Sequence, residues 1–238
     1  MPPMEDFPPE FQPYLMPTKI IDSDHPLVKE YALHAAKGAT SDVDAAVKLY
    51  LAVRDNIRYD PYSPFHLPEH YRASRVLQRG KHFCIPKASL LCALARALSI
   101  PGRLGFASVR NHLATRQLLE FLGSDLFVYH AFTELYLDGK WVKATPAFNL
   151  ELCERHQVPA LDFNGREDSL FQPYNEESRR FMEYVEFIGT YADVPVEEIL
   201  SAWKRTYGAD RVQGWIRTYE EGKGESIADF GREEVHRG

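Results

Sequence analysis

The chain has 238 residues, of which 45% are hydrophobic and 26% charged, with a formal net charge of −6. This composition predicts one globular domain or a core with an extension, and the negative charge argues against binding to nucleic acid or to a membrane surface. No apolar run approaches the roughly 18 residues that a membrane-spanning helix needs, and the N-terminal residues lack the pattern of a signal peptide.

The cysteine content points to a reducing compartment. Cys84, Cys92 and Cys153 are a sparse, odd-numbered set, which does not predict a disulfide framework. We therefore expect a cytoplasmic protein.

The N-terminal part of the chain predicts an arm followed by two helices. Residues 1–24 are rich in proline and aromatic residues and indicate an extended arm. A first helix is predicted from Leu27 to Ala36, and a second, capped by Ser41, from Asp42 to about Ile57. A short helical turn over residues 73–79 ends at Gly80.

The next helix begins with a cysteine. Cys84 precedes a segment that is apolar nearly all round and runs to Leu98, with Pro86 in its first turn. A thiol at a helix N-terminus faces unpaired backbone N–H groups and the positive end of the helix dipole. Because both favour the thiolate, the sequence predicts a nucleophilic cysteine with a lowered pKa.

A strand and a β-hairpin follow. Residues 103–109 predict the strand, whereas residues 110–122 fit a short helix or a lid. Asp138-Gly139 between two runs of aromatic and β-branched residues predicts a two-residue turn. The resulting register places Glu134 opposite Lys143 and makes Thr145 a diagonal neighbour of His130 on one face.

The C-terminal part predicts three helices and a frayed tail. The helices span Glu176–Tyr191, Val194–Tyr207 and about Asp210–Glu220. We expect an N-terminal arm and helix over residues 1–44, a core over residues 45–150, and a helical extension of the same domain over residues 151–238.

Several short motifs resemble, in order, those of the transglutaminase-like superfamily. They are Gly80 to Cys84, Ile100 to Arg103, His130 to Phe132 and Lys140 to Val142, and Asn56 to Asp60 is similar to the segment that commonly precedes the core. The resemblance covers about residues 45–150. It implies a papain-like α+β fold, with a central helix on an antiparallel sheet, and cysteine-dependent acyl chemistry on amides.

The resemblance also implies roles for individual residues. Cys84 matches the nucleophile and His130 the base, but the aspartate of the family falls at Thr145, which carries no charge. In a serine triad a comparable replacement costs about 10⁴ in kcat. Asn149 is an alternative orienting group, because an amide orients the histidine of papain-like enzymes. Two loop residues, Asp162 and Asp168, are further candidates.

Other side chains are candidates for the surroundings of the thiol. The backbone N–H of Cys84 is the natural first donor to an oxyanion, and His82, Tyr71 or Tyr59 would supply a second. Two residues after the predicted strand, Arg110 and His112, would bind a substrate carboxylate or line the cleft, or else belong to a solvated loop.

A metal site is the competing interpretation of the same residues. His82, Cys84, His112 and His130 include the usual zinc ligands, but the paired spacings typical of structural zinc are absent. We expect neither a metal nor another cofactor.

The sequence thus supports two functions. The first is a cysteine-dependent hydrolase or acyltransferase that attacks a peptide, a protein or a small amide through a Cys–His pair and a thioester. The second is a catalytically degenerate domain that binds a protein or a ligand, since the expected carboxylate is missing. The sequence indicates no oligomeric state.

Overall fold

The computed structural model describes residues 7–112, 114–171, 182–222 and 230–234. Within these ranges the helices are α1 (Pro26–Ala35), α2 (Asp42–Asn56), α3 (Ala73–Arg79), α4 (Cys84–Ala97), α5 (Arg116–Leu122), α6 (Leu150–His156), α7 (Val196–Tyr207) and α8 (Ala209–Glu220). The strands are β1 (Arg58–Tyr59), β2 (Lys81–His82), β3 (Gly102–Asn111), β4 (Leu126–Leu137), β5 (Lys140–Ala144) and β6 (Met182–Tyr191).

The strands form two sheets. The short strands β1 and β2 pair in parallel, while the larger sheet is antiparallel with the strand order β5-β4-β3-β6. Helices and an antiparallel sheet in one chain confirm the predicted α+β class. No helix in the described part of the chain combines the length and the apolar character needed to cross a membrane.

Helix α4 is the central element. Every residue from Ile85 to Arg96 is buried, and the helix contacts β3 and β4 of the sheet as well as α1, α2 and α3. Its two buried cationic side chains, Lys87 and Arg96, have backbone partners, and the Arg96 guanidinium donates to the carbonyls of Gly102, Met16 and Ala192. A helix that is apolar nearly all round is thereby confirmed as the buried centre of the fold.

The β-hairpin has the predicted register. Glu134 lies opposite Lys143, and the turn residues Asp138 and Gly139 both have positive φ, as a type I′ turn requires. The two opposed charges have other partners, however. Glu134 pairs with Arg103 of β3 at 2.5 Å and Lys143 with Asp168 at 3.4 Å.

The predicted helix over Glu176–Tyr191 is wrong in its described part. Residues 182–191 form strand β6, which pairs antiparallel with β3, and residues 176–181 lie outside the described ranges. The spacing of Tyr184, Val185 and Ile188 suits a helix, but β-branched and aromatic residues also favour strands. The free edge of β3 supplies hydrogen-bond partners that periodicity alone cannot reveal.

Three further helices bear on the sequence predictions. Residues 116–122 form a short helix rather than an open lid, and α7 and α8 lie close to their predicted positions.

Both ends of the described chain pack against the rest of the protein. The N-terminal arm packs through Phe11, whose ring stacks on Trp141 at 5.8 Å. Residues 230–234 do not fray as predicted, because Phe230 and Glu233 are buried.

Candidate active site

Cys84 is the first residue of helix α4, as predicted from Pro86 in the first turn. Phe83 precedes it in extended conformation and leads in from β2, so the thiol sits where the chain changes from strand to helix. The side chain is half-buried, whereas Cys92 and Cys153 are buried, and all three thiols are free. Cys84 is therefore the most accessible of the three.

The ionisation of Cys84 differs from the sequence prediction. Burial raises the pKa of the thiol to about 11, although hydrogen bonds from the backbone N–H groups of Ala131, Ile85 and Cys84 itself favour the thiolate. Loss of water around the sulfur penalises the charged form more than these donors stabilise it. Burial therefore reverses the lowered pKa that the helix N-terminus predicts.

His130 follows a β-bulge in β4. Ala107 pairs with His130 and Val109 with Phe127, so Val128 and Tyr129 together oppose the single residue 108 of β3. Tyr129 has a φ of 62°, which a bulge accommodates. A bulge turns the next side chain to a new direction. The N–H of Ala131, directly after His130, points at the Cys84 sulfur, so β4 passes beside the thiol.

One ring nitrogen of His130 lacks an orienting group within the described part of the chain. Its Nε2 atom is buried and has no hydrogen-bond partner among the described residues, and the ring packs against Phe171 at 5.4 Å. Burial lowers the pKa of His130 to about 4. At neutral pH the site therefore holds a neutral imidazole and a neutral thiol.

Thr145, at the position of the expected aspartate, is engaged elsewhere. Its hydroxyl is buried and donates to the carbonyl of Ser169 at 2.8 Å, and the N–H of Ser169 donates to the carbonyl of Lys143 at 2.8 Å. These bonds fasten the loop at residue 169 alongside the end of β5. In this position Thr145 holds a loop.

The three alternative orienting groups also have other partners. Asn149 accepts the backbone N–H of Tyr59 through Oδ1 at 3.0 Å. Asp162 pairs with Arg54 at 2.7 Å, and Asp168 accepts the N–H of Lys143 at 2.9 Å. The structure brings none of them to the Nε2 of His130.

Cys84 and His130 line one small cavity of about 60 Å³. Most of its wall is aromatic. The aromatic lining residues are Tyr59, Phe65, Phe83, Phe121, Phe127, Tyr129, Trp203, Tyr207, Trp215 and Tyr219. Of the three predicted oxyanion or cleft residues, only Tyr59 belongs to this lining.

The other two predicted cleft residues are internal. The Tyr71 hydroxyl and the His82 Nδ1 atom are both buried without a partner among the described residues. Burial raises the pKa of Tyr71 and lowers the pKa of His82 well below its ordinary value. Neither residue lines the cavity.

The predicted substrate-binding pair lies at the end of β3 and already has acidic partners. Arg110 pairs with Asp125 at 3.3 Å, and His112 faces Glu183 at 3.4 Å. Neither side chain lines the cavity. A search of the described residues finds no three His, Cys, Asp or Glu side chains placed to hold a metal ion, so the four residues of the metal interpretation do not form such a cluster.

Sequence reasoning missed the aromatic residues that α7 and α8 contribute. Trp203 and Tyr207 are four residues apart on α7, as are Trp215 and Tyr219 on α8, and all four line the cavity. Residues at this spacing share one helix face. The spacing of the two pairs predicts an aromatic face on each helix, but it does not predict that the two faces line one cavity.

Comparison with known proteins finds a family match over the middle of the chain. Residues 29–146 match the family model of the transglutaminase-like superfamily. This stretch of the chain is transglutaminase-like. The match begins within α1 and ends just after Thr145, so the core contains Cys84 and His130, whereas α7 and α8 lie beyond it.

Two solved structures are similar to the chain. A protein of Cytophaga hutchinsonii described as a "putative cysteine protease" has 18% sequence identity and a TM-score of 0.48, over 79% of this chain and 56% of its own. One from Parabacteroides distasonis described as a "putative protease" has 14% identity and a TM-score of 0.36, over 57% of this chain and 25% of its own. The chain thus spans little more than half of the first protein. No curated protein matches it.

Proposed function

We propose that this protein is a cysteine-dependent hydrolase or acyltransferase that acts on an amide bond of a peptide, a protein or a small molecule. Cys84 is the nucleophile and His130 the base. The observation that carries the proposal is that both side chains line one cavity of the transglutaminase-like core, with the N–H of Ala131 at the sulfur.

In this mechanism the pair starts neutral. As the sulfur attacks the carbonyl carbon, His130 takes the thiol proton and acts as a general base. The backbone N–H of Cys84 donates to the oxyanion. The tetrahedral intermediate then loses the C–N bond, the leaving nitrogen takes the proton from His130, and a thioester remains on Cys84.

The second half-reaction releases the acyl group. Water or an acceptor amine attacks the thioester carbon while His130 removes its proton, and the C–S bond breaks. The proton returns to the sulfur, and the product is a carboxylic acid or a new amide. Hydrolysis and transfer therefore differ only in the nucleophile that reaches the thioester.

The pair works without a third member. Since the His130 Nε2 has no hydrogen-bond partner among the described residues, no carboxylate among them stabilises an imidazolium at that atom as in a triad. A neutral pair needs His130 unprotonated, so with a pKa of about 4 we expect activity to be lost only as the pH falls through about 4.

Acylation by an activated ester tests the proposal. p-Nitrophenyl acetate should place an acetyl group on Cys84 of the native protein, detected by peptide mass spectrometry. The variant Cys84→Ala should lose the adduct, and His130→Gln should slow it by about 10²-fold or more, the usual contribution of a general base. Acylation at an unchanged rate in His130→Gln would contradict the mechanism.

The degenerate binding domain is the second candidate. It is favoured by the His130 Nε2, which has no hydrogen-bond partner in the described ranges, and by the hydrogen bond that holds Thr145 to Ser169. If Cys84 is acetylated no faster than the buried Cys153, this second function is supported instead.

A further inference from the structure

Part of the wall of the cavity beside Cys84 comes from elements outside the matched segment. Helices α7 and α8 contribute four aromatic side chains to it, and the core contributes Phe121, which stacks on Trp215 at 4.6 Å. The space next to the thiol is thus bounded by ring faces that pack against one another.

Three of these four rings have their polar atom hydrogen-bonded to backbone groups of the protein. The Tyr207 hydroxyl accepts the N–H of Val128 at 2.9 Å and donates to the carbonyl of Leu126 at 3.1 Å. The Trp203 Nε1 donates to the carbonyl of Val128 at 2.9 Å. Among the described residues no charged side chain lines the cavity, so its occupant must be apolar and uncharged where it meets this wall.

The volume limits the occupant further. The cavity measures about 60 Å³, whereas an apolar cavity of about 150 Å³ holds benzene. An aromatic ring therefore exceeds the available space, while a short aliphatic group can fill it. Close packing around the cavity makes expansion unfavourable.

We infer that this cavity is the acyl pocket of the enzyme and that it takes short aliphatic acyl groups, up to about the size of isobutyryl, in preference to aromatic or charged ones. The inference rests on the proposed function, because the acyl carbon must be bonded to the Cys84 sulfur. Its substituent then occupies the space that Cys84 lines.

Acylation rates of the native protein test the size limit. p-Nitrophenyl isobutyrate should acylate Cys84 about tenfold or more faster than p-nitrophenyl benzoate, relative to their reaction with free cysteine, since a misfit in an apolar pocket has this scale of effect. The variant Leu122→Ala, which removes a half-buried lining residue, should reduce the preference. Leu33→Ala is the matched control, as Leu33 is 65% exposed on α1.

Equilibrium binding gives a readout that needs no catalysis. Two of the three tryptophans, Trp203 and Trp215, line the cavity, so occupancy should change the fluorescence of a Cys84→Ala variant. We expect isobutyramide to bind this variant and benzamide not to bind.

The outcomes separate the pocket from the chemistry. Isobutyramide binding without any acylation supports the pocket and overturns the proposed function. Acylation that is equally fast with p-nitrophenyl benzoate, or benzamide binding as tight as isobutyramide binding, contradicts the proposed acyl pocket. Neither result contradicts the proposed enzymatic function. Absence of binding by both amides also overturns the pocket.

Discussion

At the scale of single residues, the ionisation of Cys84 gives the first prediction. Alkylation by iodoacetamide requires the thiolate. Because burial raises the pKa of Cys84 to about 11, the alkylation rate of the native protein should rise about tenfold per pH unit from pH 7 to pH 10. Mass spectrometry of the Cys84 peptide measures this rate.

The unfolded chain provides the control for this profile. In urea the three cysteines should share one profile centred near the ordinary thiol pKa of about 8.5. A native rate that stays constant between pH 6 and pH 8 would contradict the prediction. It would show a thiolate–imidazolium pair in place of two neutral groups.

Thr145 gives the second prediction at this scale. Thr145→Val keeps the shape of the side chain but removes the donor to the buried carbonyl of Ser169. We therefore expect the free energy of unfolding, measured in urea, to fall by about 1–3 kcal/mol. The rate of Cys84 acylation should stay unchanged. Thr190→Val, at an exposed threonine of β6, is the control and should leave the free energy of unfolding nearly unchanged. Lost acylation with full stability would instead assign Thr145 an orienting role.

The sequence could place some residues of the site but not their ionisation. The family resemblance implied that Cys84 and His130 act together, and both side chains line one cavity in the structure. Burial in the folded protein raises the pKa of Cys84, and residues far away in the sequence, such as Trp203 and Tyr207, line the same cavity. Local reasoning from the helix N-terminus could not include this burial and gave the opposite direction.

At the scale of elements, Lys87 joins α4 to the end of α2. Its side chain is fully buried, and its Nζ donates to the carbonyls of Arg54, at 2.9 Å, and Ile57. The last carbonyls of a helix lack intrahelical donors, so this amine caps α2. Lys87→Met should leave both carbonyls unsatisfied and reduce the free energy of unfolding by about 2–4 kcal/mol at pH 8.

The effect of Lys87 should also depend on pH. Burial lowers the pKa of Lys87 from 10.5 to about 7. Between these values the unfolded chain binds the proton and the folded chain does not, so the lysine contributes more stability as the pH rises. The free energy of unfolding of the wild type should therefore exceed that of Lys87→Met by an amount that grows by about 1.4 kcal/mol per pH unit from pH 7 to pH 10.

Urea unfolding at several pH values tests this linkage. Lys48→Met is the control, because Lys48 is partly exposed and makes an i,i+4 ion pair with Asp44 and an exposed hydrogen bond to the carbonyl of Lys37. The free energy of unfolding of Lys48→Met should stay close to that of the wild type from pH 7 to pH 10. A constant difference for Lys87→Met would mean that the lysine keeps its ordinary pKa.

Gly105 gives the next prediction at this scale, because it allows β3 and β4 to pack. A Cβ at this position would lie 2.9 Å from Cδ2 of Phe132 and closer still to other atoms of that ring. Gly105→Ala should therefore displace Phe132 and reduce stability by about 1–3 kcal/mol. Gly214→Ala, in an open part of α8, should gain about 0.5–1 kcal/mol. Two variants of equal stability would show that the sheet adjusts freely.

The predictability of an element depends on where its partner lies. The hairpin of β4 and β5 carries its own turn signal at Asp138-Gly139, so its register followed from the sequence. Strand β6 pairs with β3, some eighty residues earlier. The residues of β6 and their sequence neighbours do not indicate a pairing with β3. The helical spacing of the apolar residues in β6 led to the wrong prediction.

At the scale of the whole molecule, the candidate site depends on segments from most of the chain. The cavity is lined by residues between 59 and 65, at 83 and 84, between 118 and 130, and between 203 and 219. The family match ends at residue 146. The family core therefore supplies the proposed chemical groups, while the C-terminal helices complete the space in which we propose that they act.

The C-terminal segment holds this assembly together through Glu233. Its carboxylate is buried and accepts the Tyr62 hydroxyl at 2.8 Å and the Thr115 hydroxyl at 2.5 Å. Thr115 also caps the N-terminus of α5, and Phe230 packs edge-on against Tyr59 of the cavity wall. Glu233 thus connects the loop after β1, helix α5 and the C-terminal segment.

Replacing Glu233 should therefore loosen several elements at once. Glu233→Ala leaves two buried hydroxyls without their acceptor, so we expect a loss of about 2–4 kcal/mol in urea unfolding. Glu234→Ala, at the exposed neighbour, is the matched control and should change stability by less than about 0.5 kcal/mol. Equal effects of the two variants would contradict the role of Glu233. Because the loop after β1 lines the cavity, Glu233→Ala should also weaken the preference for isobutyrate over benzoate, whereas Glu234→Ala should preserve it.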